Sequence, residues 1–507
     1  MLDHAPSSSS AAEPSISAAE EPASRGKRGR APGRGIGRGL HRWWFQRCGA
    51  REVLFLALPL VISTISWTFM HFVDRMFLLW HSPAAVAAAM PAGMLHWSLF
   101  SFPLGVALYA TTFVAQYYGA GRPKEIGSAV WQAMRLGLYA WPLFLAVSIP
   151  AYEVFLMAGH DAALAGLEAL FFFVLPVGAG PSLINSAQST LFIGIGRTRV
   201  VMIASTLGSI INGVLDYLLI FGIGPFPELA IEGAAWAPEI AQTCQMLYYF
   251  WLMRDPGLIR DFGLDTGRRF DLGFLRRLFR FGSGQGMQFL LEASAFTMFT
   301  LLIGQLGTDA VAVTSLAMSI NILAFLPVLS IGTAASTLVG QQLGRNRPAL
   351  AERAVWRAMS VAIIYTGAFA AAYILLPEVF LAGHAAGAGG EFSALSDTVV
   401  VLLRFVAAYC FFDAMNVVFS SAVKGAGDTR FVLLVSALTS PLPLVIGYCG
   451  IHYAGGGLYF CWSIITGWIC TLGIVYYWRF RQGRWKTMRV IEPEPLLDPP
   501  SELRHAA

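Results

Sequence analysis

Charged residues are scarce in this sequence: Asp, Glu, Lys and Arg make up 13% of its 507 residues, about half of the roughly one quarter that soluble globular proteins carry. Hydrophobic residues make up 56%. They gather into runs of about twenty or more, long enough to cross a hydrocarbon core of ~30 Å at about 1.5 Å per helical residue. The composition excludes an ordinary soluble enzyme and predicts an all-α polytopic membrane protein.

Motifs of several other protein classes are also missing. The six cysteines include no CxxC pair and no ladder of spacings, so the sequence indicates neither a disulfide framework nor a zinc site. No GxxxxGK loop followed by Ser or Thr occurs, which leaves ATP-driven transport without support. No DDxxD-like pair for prenyl diphosphate chemistry and no channel filter sequence occurs either. We therefore expect a protein that is not an enzyme and that needs no cofactor.

Apolar runs between charged or Gly/Pro-rich breaks predict twelve membrane-spanning helices in two sets of six. The predicted spans are residues 53–80, 91–118, 128–151, 167–190, 200–224 and 230–253, followed by 281–304, 311–340, 354–377, 397–421, 431–452 and 457–480.

This count divides the chain into five parts. Residues 1–51 are rich in Ser, Pro, Gly and Arg, a composition typical of a disordered tail. The tail resembles RNA-binding Arg–Gly segments, but its position beside a first span favours an arm near anionic lipid, so no nucleic-acid partner is expected. Two lobes, 52–254 and 281–480, flank a charged amphipathic linker at 255–280, and a tail follows at 481–507.

The distribution of Lys and Arg predicts the orientation in the membrane. Basic residues lie in the two tails, in the linker and in alternate loops. The intervening loops contain no Lys or Arg; they are residues 81–90, 152–166, 225–229, 305–310, 378–396 and 453–456. Both termini are therefore expected in the cytoplasm.

An internal repeat relates the two sets of helices. A shift of 225 residues aligns Ala85–Met134 with Ala310–Met359, and eighteen of the fifty positions are identical. The matches include Gln116/Gln341, Gly119/Gly344 and Trp131/Trp356, and GIGRTR at 194–199 matches GAGDTR at 425–430. The second match requires a longer shift, which places an insertion in the loop around 384–396. Because each set holds six helices, the repeats are parallel, as in many transporters with alternating access.

Acidic side chains inside the predicted spans are candidates for function, because a charge at mid-depth costs at least ~2.5–3.5 kcal/mol. They are Asp74, Asp216 with Asn212 one turn earlier, Glu239, Glu292 and Asp413. Only Arg75 and Arg404 lie in the same spans, and neither is spaced to pair with an acid on its own helix. The sequence leaves two roles open, structural pairing and reversible binding of a proton or cation. For Glu239 we expect the structural role.

Four motifs carry a resemblance to a known family. AQYYGAGR and GQQLGRNR follow the second and eighth spans, and GIGRTR and KGAGDTR follow the fourth and tenth. With the acids and the duplication, residues 50–480 resemble the multidrug and toxic compound extrusion (MATE) transporters. The resemblance implies two parallel six-helix bundles in a V shape and cation-coupled efflux of drugs, dyes and other cationic or amphipathic compounds.

The resemblance also implies roles for individual residues. Asp74, Glu292 and Asp413 match the acids of the NorM-like branch, and Asn212 and Asp216 match a fifth-helix Asn-x-x-x-Asp pair of other members. The implied ion or proton coupling set is Asp74, Asn185, Asn212, Asp216, Glu292 and Asp413. Substrate is expected at Gln288, Glu292 and Asp413, and Na⁺ could bind at Asp74, Asp216, Glu292 or Asp413. Because both constellations are present, the coupling ion stays open between Na⁺ and H⁺.

The sequence therefore predicts a monomeric antiporter of a bacterial inner membrane, with a small-molecule substrate and membrane lipid as its partners. It would alternate between inward-open and outward-open states. The alternative is a flippase for lipid-linked sugars, since such proteins have similar helix counts. A flippase would favour a cationic cleft for a pyrophosphate group, whereas this interior is rich in acids.

Overall fold

The computed structural model describes residues 41, 43–385 and 391–492, and this part of the chain contains helices and loops but no β-strand. From Ala50 onward the α-helices are α1 Ala50–His81, α2 Pro83–Leu108, α3 Ala110–Gly119, α4 Ile126–Ser148, α5 Ala151–Met157, α6 Ala162–Gly194, α7 Thr198–Phe221, α8 Ala230–Leu252, α9 Pro256–Phe262, α10 Leu272–Gly304, α11 Thr308–Gly344, α12 Pro348–Leu375, α13 Pro377–Ala385, α14 Glu391–Ala426, α15 Thr429–Thr439, α16 Leu442–Ala454 and α17 Leu458–Arg481. The all-α prediction is confirmed.

The number of membrane-type helices approximately fits the predicted twelve. Within the described residues, ten segments are long and apolar enough to cross a membrane, and two of them each join consecutive helices, α2 with α3 and α15 with α16. The segments Pro123–Ser148 and Ala151–Met157 meet at an angle of 56°, and they form an eleventh membrane-type segment if they are counted as one span. The predicted sixth span is the helix α8, which is not among the ten; Glu and Gln side chains interrupt its apolar sequence.

Helix packing groups the spans into two halves. In the first half α1 packs against α7, while α6 packs against α2, α4 and α8. In the second half α14 packs against α11, α12 and α17. We call α1–α8 the N-lobe and α10–α17 the C-lobe, and we call the end with the Lys- and Arg-containing loops the basic face.

The linker is shorter than the sequence predicts. A short helix, α9, begins after Asp255, whose carboxylate accepts the Gly257 N–H at 2.6 Å. The seventh span then begins at Leu272, before the predicted Phe281, because Asp271 caps α10 by accepting the Phe274 N–H at 2.9 Å. Charged residues therefore occupy the first turns of a long helix, which extends past the apolar run.

At the basic face, two glutamines that the repeat makes equivalent join the lobes. The Gln116 amide donates to the carbonyl of Gly425 at 3.0 Å, and the Gln341 amide donates to the carbonyl of Gly194 at 2.8 Å. Gly194 and Gly425 are equivalent as well, as the first residues of GIGRTR and GAGDTR. The two buried hydrogen bonds thus form a pseudo-symmetric seam between the lobes.

Glycines allow the lobes to approach closely at this seam. A Cβ atom at Gly119 would overlap the backbone carbonyl of Gln341, and one at Gly344 would overlap the carbonyl of Gln116. Only a residue without a side chain fits at either position, as at other close helix contacts in membrane proteins. The duplication therefore supplies both the hydrogen-bonding residue and the space for it.

Residues 484–492, which we call the C-terminal segment, follow α17 and are anchored to the C-lobe. The Trp485 ring stacks on Phe480 with ring centroids 5.1 Å apart. The Lys486 ammonium lies 2.7 Å from the Glu352 carboxylate of α12.

The same segment then reaches the N-lobe. The backbone N–H of Val490 donates to Gln116 Oε1 at 2.9 Å, so this glutamine is bonded on both sides of its amide. The backbone carbonyl of Glu492 accepts from Arg122 of the N-lobe at 3.0 Å, and its carboxylate lies 2.5 Å from Nη1 of Arg277 on the C-lobe helix α10. Val490 is buried among apolar N-lobe residues, which contributes on the order of 1.5–3 kcal/mol. The C-terminal segment therefore bridges the lobes over the seam.

The six cysteines are free thiols, as the absence of paired spacings predicts. Cys48, Cys410 and Cys461 are buried, as expected for small core residues, whereas Cys449 is exposed. Burial, reinforced by the nearby Glu52 carboxylate, raises the pKa of the Cys48 thiol to about 11. The Cys48 side chain is therefore a poor nucleophile at neutral pH.

Two other predictions fall mainly outside the described residues. Most of the predicted N-terminal tail, residues 1–51, lies there, as does the part of the C-terminal tail beyond residue 492. The predicted insertion around 384–396 also contains residues that the structure does not describe.

The early start of α10 generates a stability prediction. Replacing Asp271 by Ala removes the side-chain acceptor that caps this helix, and we expect the free energy of unfolding to fall by about 0.5–2 kcal/mol. Asp271→Asn keeps an acceptor and should lose less. Thermal unfolding of the two purified variants in detergent measures the difference. Equal midpoints would show that Asp271 does not set the start of α10.

Candidate functional site

A buried cluster in the N-lobe links α1 to α7. The amide nitrogen of Asn212 donates to Asp74 Oδ1 at 2.5 Å and to Asp216 Oδ2 at 2.7 Å. Asn212 and Asp216 share one face of α7 because they are four residues apart, and Asp74 reaches them across the contact between the helices. All three side chains are buried. One neutral amide group therefore holds two carboxyl groups together.

Two oxygen atoms of this cluster form no hydrogen bond within the described residues. Asp216 Oδ1 and Asn212 Oδ1 are buried and have no hydrogen-bond partner among the described residues. The Nδ1 atom of His71 lies 3.3 Å from Asp74 Oδ2, and the His71 ring packs edge-on against Trp67 with centroids 4.4 Å apart. Free buried oxygen atoms are costly unless something binds them. The cluster is therefore suited to bind a proton or a small cation.

The structure does not place a larger set of metal ligands there. Within the described ranges, no group of three or more His, Cys, Asp or Glu side chains is arranged to hold a metal ion. A monovalent cation at Asp74 and Asp216 would have to use the two carboxylates together with the Asn212 amide oxygen. These are the oxygen ligands that hard cations prefer.

In the C-lobe, Glu292 belongs to a relay that crosses from α10 to α14. Gln288 Nε2 donates to Glu292 Oε1 at 2.8 Å, and Gln288 Oε1 accepts from the Lys424 ammonium at 3.1 Å. The sequence places Lys424 in a loop, but α14 continues to Ala426 and carries the lysine into the lobe. The expectation that Glu292 has no cation in its neighbourhood is therefore wrong.

Asp413 lies in the same lobe but outside this relay. It is half-buried on α14, where Asn416 of the next turn hydrogen-bonds its carboxyl group. Glu292 and Asp413 lie on different helices of the C-lobe, and no hydrogen bond joins the two carboxyl groups in the described residues. A substrate that contacts both would have to lie between α10 and α14.

Asn185 does not share the hydrogen bonds of the N-lobe cluster. Its amide donates instead to Gln242 at 3.4 Å and to Gln245 at 3.5 Å, both on α8. Arg75 and Arg404 are exposed, and neither forms an ion pair within the part of the chain that the structure describes. The intramembrane acids are thus left without an arginine partner.

Sequence reasoning missed two participants. His71 stands three residues before Asp74, a helical spacing that puts both on one face, so this partner could have been found. Lys424 could not have been found from the sequence, because a lysine beside glycines usually marks the end of a membrane span.

A groove between α1 and α7 has a volume of about 640 Å³. Its walls are mostly apolar and include Val73 and Gly213, the sequence neighbours of Asp74 and Asn212, but none of the acids. The groove therefore does not coincide with the predicted substrate residues of the C-lobe.

Comparisons with known proteins agree with these features. The family model described as MatE matches residues 59–218 and 286–449. The chain is similar to the "Probable multidrug resistance protein NorM" of Xylella fastidiosa (strain 9a5c), with 27% identity over 453 residues that cover 85% of this chain and 91% of that protein. It is also similar to the "Multidrug resistance protein PmpM" of Pseudomonas aeruginosa, with 28% identity over 405 residues and coverage of 79% and 84%.

A solved structure has the same fold. It is described as the outward-facing conformation of a multidrug resistance MATE family transporter of the MOP superfamily. It superposes with a TM-score of 0.75 at 20% identity, covering 87% of this chain and 97% of that one.

The shared amide of the N-lobe cluster generates a prediction. Asn212→Val removes the donor of both carboxyl groups and leaves their buried oxygen atoms without it, and we expect the free energy of unfolding to fall by about 1–3 kcal/mol. The measurement is thermal unfolding in detergent.

Asn185→Val is the matched control, because that amide contacts only neutral glutamines. Its loss should be smaller, because its two contacts are longer, at 3.4 and 3.5 Å. Equal losses in both variants would mean that the Asn212 amide does not hold the two carboxyl groups together.

Proposed function

Because the chain belongs to the MatE family, we propose that this polytopic membrane transporter exports organic cations and other amphipathic compounds in exchange for Na⁺ or H⁺. The observation that carries coupling is the buried pair of carboxyl groups, Asp74 and Asp216, held by one neutral amide. Such a pair changes its charge when it binds a cation or proton. The names of the bacterial relatives support a drug-like substrate.

We place the protein in a bacterial inner membrane with the basic face toward the cytoplasm. The support is the restriction of Lys and Arg to one set of loops, since positively charged loops stay on the cytoplasmic side. Both termini would then be cytoplasmic. The duplication supplies both lobes within one chain, so we propose a monomer that works without a cofactor.

In this orientation the structure corresponds to a state closed to the cytoplasm. The seam of Gln116 and Gln341 and the C-terminal segment join the lobes at the basic face. The helices α1 and α11 also contact each other at mid-helix, where the hydroxyl oxygen atoms of Thr64 and Ser330 lie 3.2 Å apart. Access from the cytoplasm would require the seam to break and Val490 to leave Gln116.

Substrate is proposed to bind in the C-lobe beside Gln288, Glu292 and Asp413. A carboxylate there attracts a hydrophobic cation, and a proton or Na⁺ on the same group would weaken that attraction. This mutual exclusion is the coupling that antiport needs. Entry of one positive charge across 100 mV provides about 2.3 kcal/mol, enough for a gradient of about 50-fold of an uncharged substrate. When a monovalent organic cation leaves for each ion that enters, no net charge crosses the membrane, and the concentration gradient of the ion supplies the driving force.

Transport in proteoliposomes tests this function. Rhodamine or ethidium efflux should follow an imposed proton or Na⁺ gradient, and Glu292→Gln/Asp413→Asn should reduce it about tenfold or more, within the usual range of coupling energies. Asp74→Asn and Asp216→Asn should change its dependence on pH or Na⁺. Asp309→Asn, which alters an exposed acid at the start of α11, is the control and should behave like the wild type.

Two outcomes would contradict the proposal. If the double variant transported dye at the wild-type rate, the C-lobe assignment would be wrong. If anionic compounds or lipid-linked sugars were moved and cationic dyes were not, the flippase alternative would replace it.

The seam generates a further prediction. Gln116→Ala removes the acceptor of the Val490 N–H and the bond to Gly425, and we expect the lobes to separate more often at the basic face. A cysteine introduced at position 490 should then react several-fold faster with maleimide, as read from its peptide by mass spectrometry. The matched control is Gln132→Ala, which removes a bond from α4 to the linker carbonyl of Arg269. An equal rise in both variants would mean that the seam does not control closure.

A further inference from the structure

The interface between α6 and α8 contains a row of buried polar side chains. Ser182 Oγ donates to Glu239 Oε2 at 3.3 Å. One turn nearer the basic face, the Asn185 amide contacts Gln242 and Gln245. The Asn185 Oδ1 atom is buried and has no partner among the described residues. Glu239 is thus the acidic end of a polar row inside the N-lobe.

The glutamate occupies a notch in α6 that only glycine can provide. A Cβ atom at Gly178 would overlap the Glu239 carboxyl group. Three residues later, Pro181 lacks the N–H that would bond the carbonyl of Val177, so that carbonyl has a free acceptor site within the helix. A notch that offers the carboxyl group, among the described residues, one hydroxyl partner and no cation suits a carboxyl group that carries a proton.

No cation neutralises Glu239 in the structure. Its side chain is 7% exposed, and within the described ranges it forms no ion pair. The helices packed against α8 carry Glu168 on α6, Asp216 on α7, Asp74 on α1 and His96 on α2; none of these groups pairs with it. An isolated buried carboxylate costs several kcal/mol, whereas the neutral acid fits the notch.

We propose that Glu239 is an additional proton-binding site of the N-lobe, separate from the cluster of Asp74, Asn212 and Asp216. The carboxylate takes up one proton to become a neutral acid and releases it when the notch opens to water. The polar row continues from Glu239 toward the basic face. Gln245 also packs against Gly208, one turn before Asn212, so the row ends close to the first cluster. Use of this proton in transport rests on the proposed function.

Infrared difference spectroscopy of the purified full-length protein tests the site. Between mildly alkaline and mildly acidic pH, the wild type should gain a carboxylic acid C=O band that is missing from the difference spectrum of Glu239→Gln. Glu232→Gln removes a more accessible carboxyl group near the start of the same helix and should keep this band. Ser182→Ala removes the only side-chain hydrogen-bond partner that Glu239 has among the described residues and should shift the frequency of the band and its pH midpoint.

Two spectral outcomes would overturn the proposal. Identical difference spectra for the wild type and Glu239→Gln would show that no proton binds there. A Glu239 band that is present at every pH would show a permanently neutral, structural acid. If Glu239→Gln did not fold, an unchanged band in Ser182→Ala would count equally against the site.

A measurement with dye separates this site from the proposed function. If the Glu239 band titrates with pH and addition of rhodamine changes it, the site takes part in coupling. If it titrates but dye neither changes it nor is transported, the proton site stands and the antiport function fails.

Discussion

A carboxyl group inside a membrane-spanning bundle has no bulk water to share its charge, so the protein must supply donors or the group must stay neutral. The N-lobe meets this constraint in two ways. Asn212 serves Asp74 and Asp216 together, while Glu239 has one weak donor and a glycine notch. Neither arrangement contains an arginine or lysine, so neither fixes the charge permanently. These contacts join α1 to α7 and α6 to α8.

In the C-lobe, the carboxyl group of Glu292 has a lysine nearby, separated from it by a glutamine. Lys424 reaches Glu292 only through Gln288, so the positive charge is near enough to attract the carboxylate but does not occupy it. The duplication is visible at the seam, where Gln116 and Gln341 make equivalent hydrogen bonds. The hydrogen bonds around the acids differ between the two lobes. A duplicated scaffold has therefore kept a symmetric closure while its interior chemistry diverged.

Much of the fold follows from the sequence, because long apolar runs and the repeat determine the helices and their order. Neighbours on one helix, such as Asn212 and Asp216, can also be predicted from the sequence. Contacts between helices cannot be predicted in this way, and Asp74 contacts Asn212 only because α1 packs on α7. Lys424 and the start of α10 are mispredicted for one reason: helices extend beyond their apolar segments when a cap or a tertiary contact stabilises the extra turns. The notch at Gly178 has no sequence signal of its own.

The bridge formed by residues 484–492 has a consequence for biosynthesis. This stretch lies near the carboxyl end of the chain and leaves the ribosome after all the helices of both lobes. Until it arrives, the Gln116 side chain lacks its Val490 partner, and Arg122 and Arg277 lack Glu492. Contacts between helices of the two lobes, among them the two glutamine–carbonyl bonds of the seam, do not depend on this segment. The contacts of Val490 and Glu492 can form only after the helices of both lobes have been synthesised.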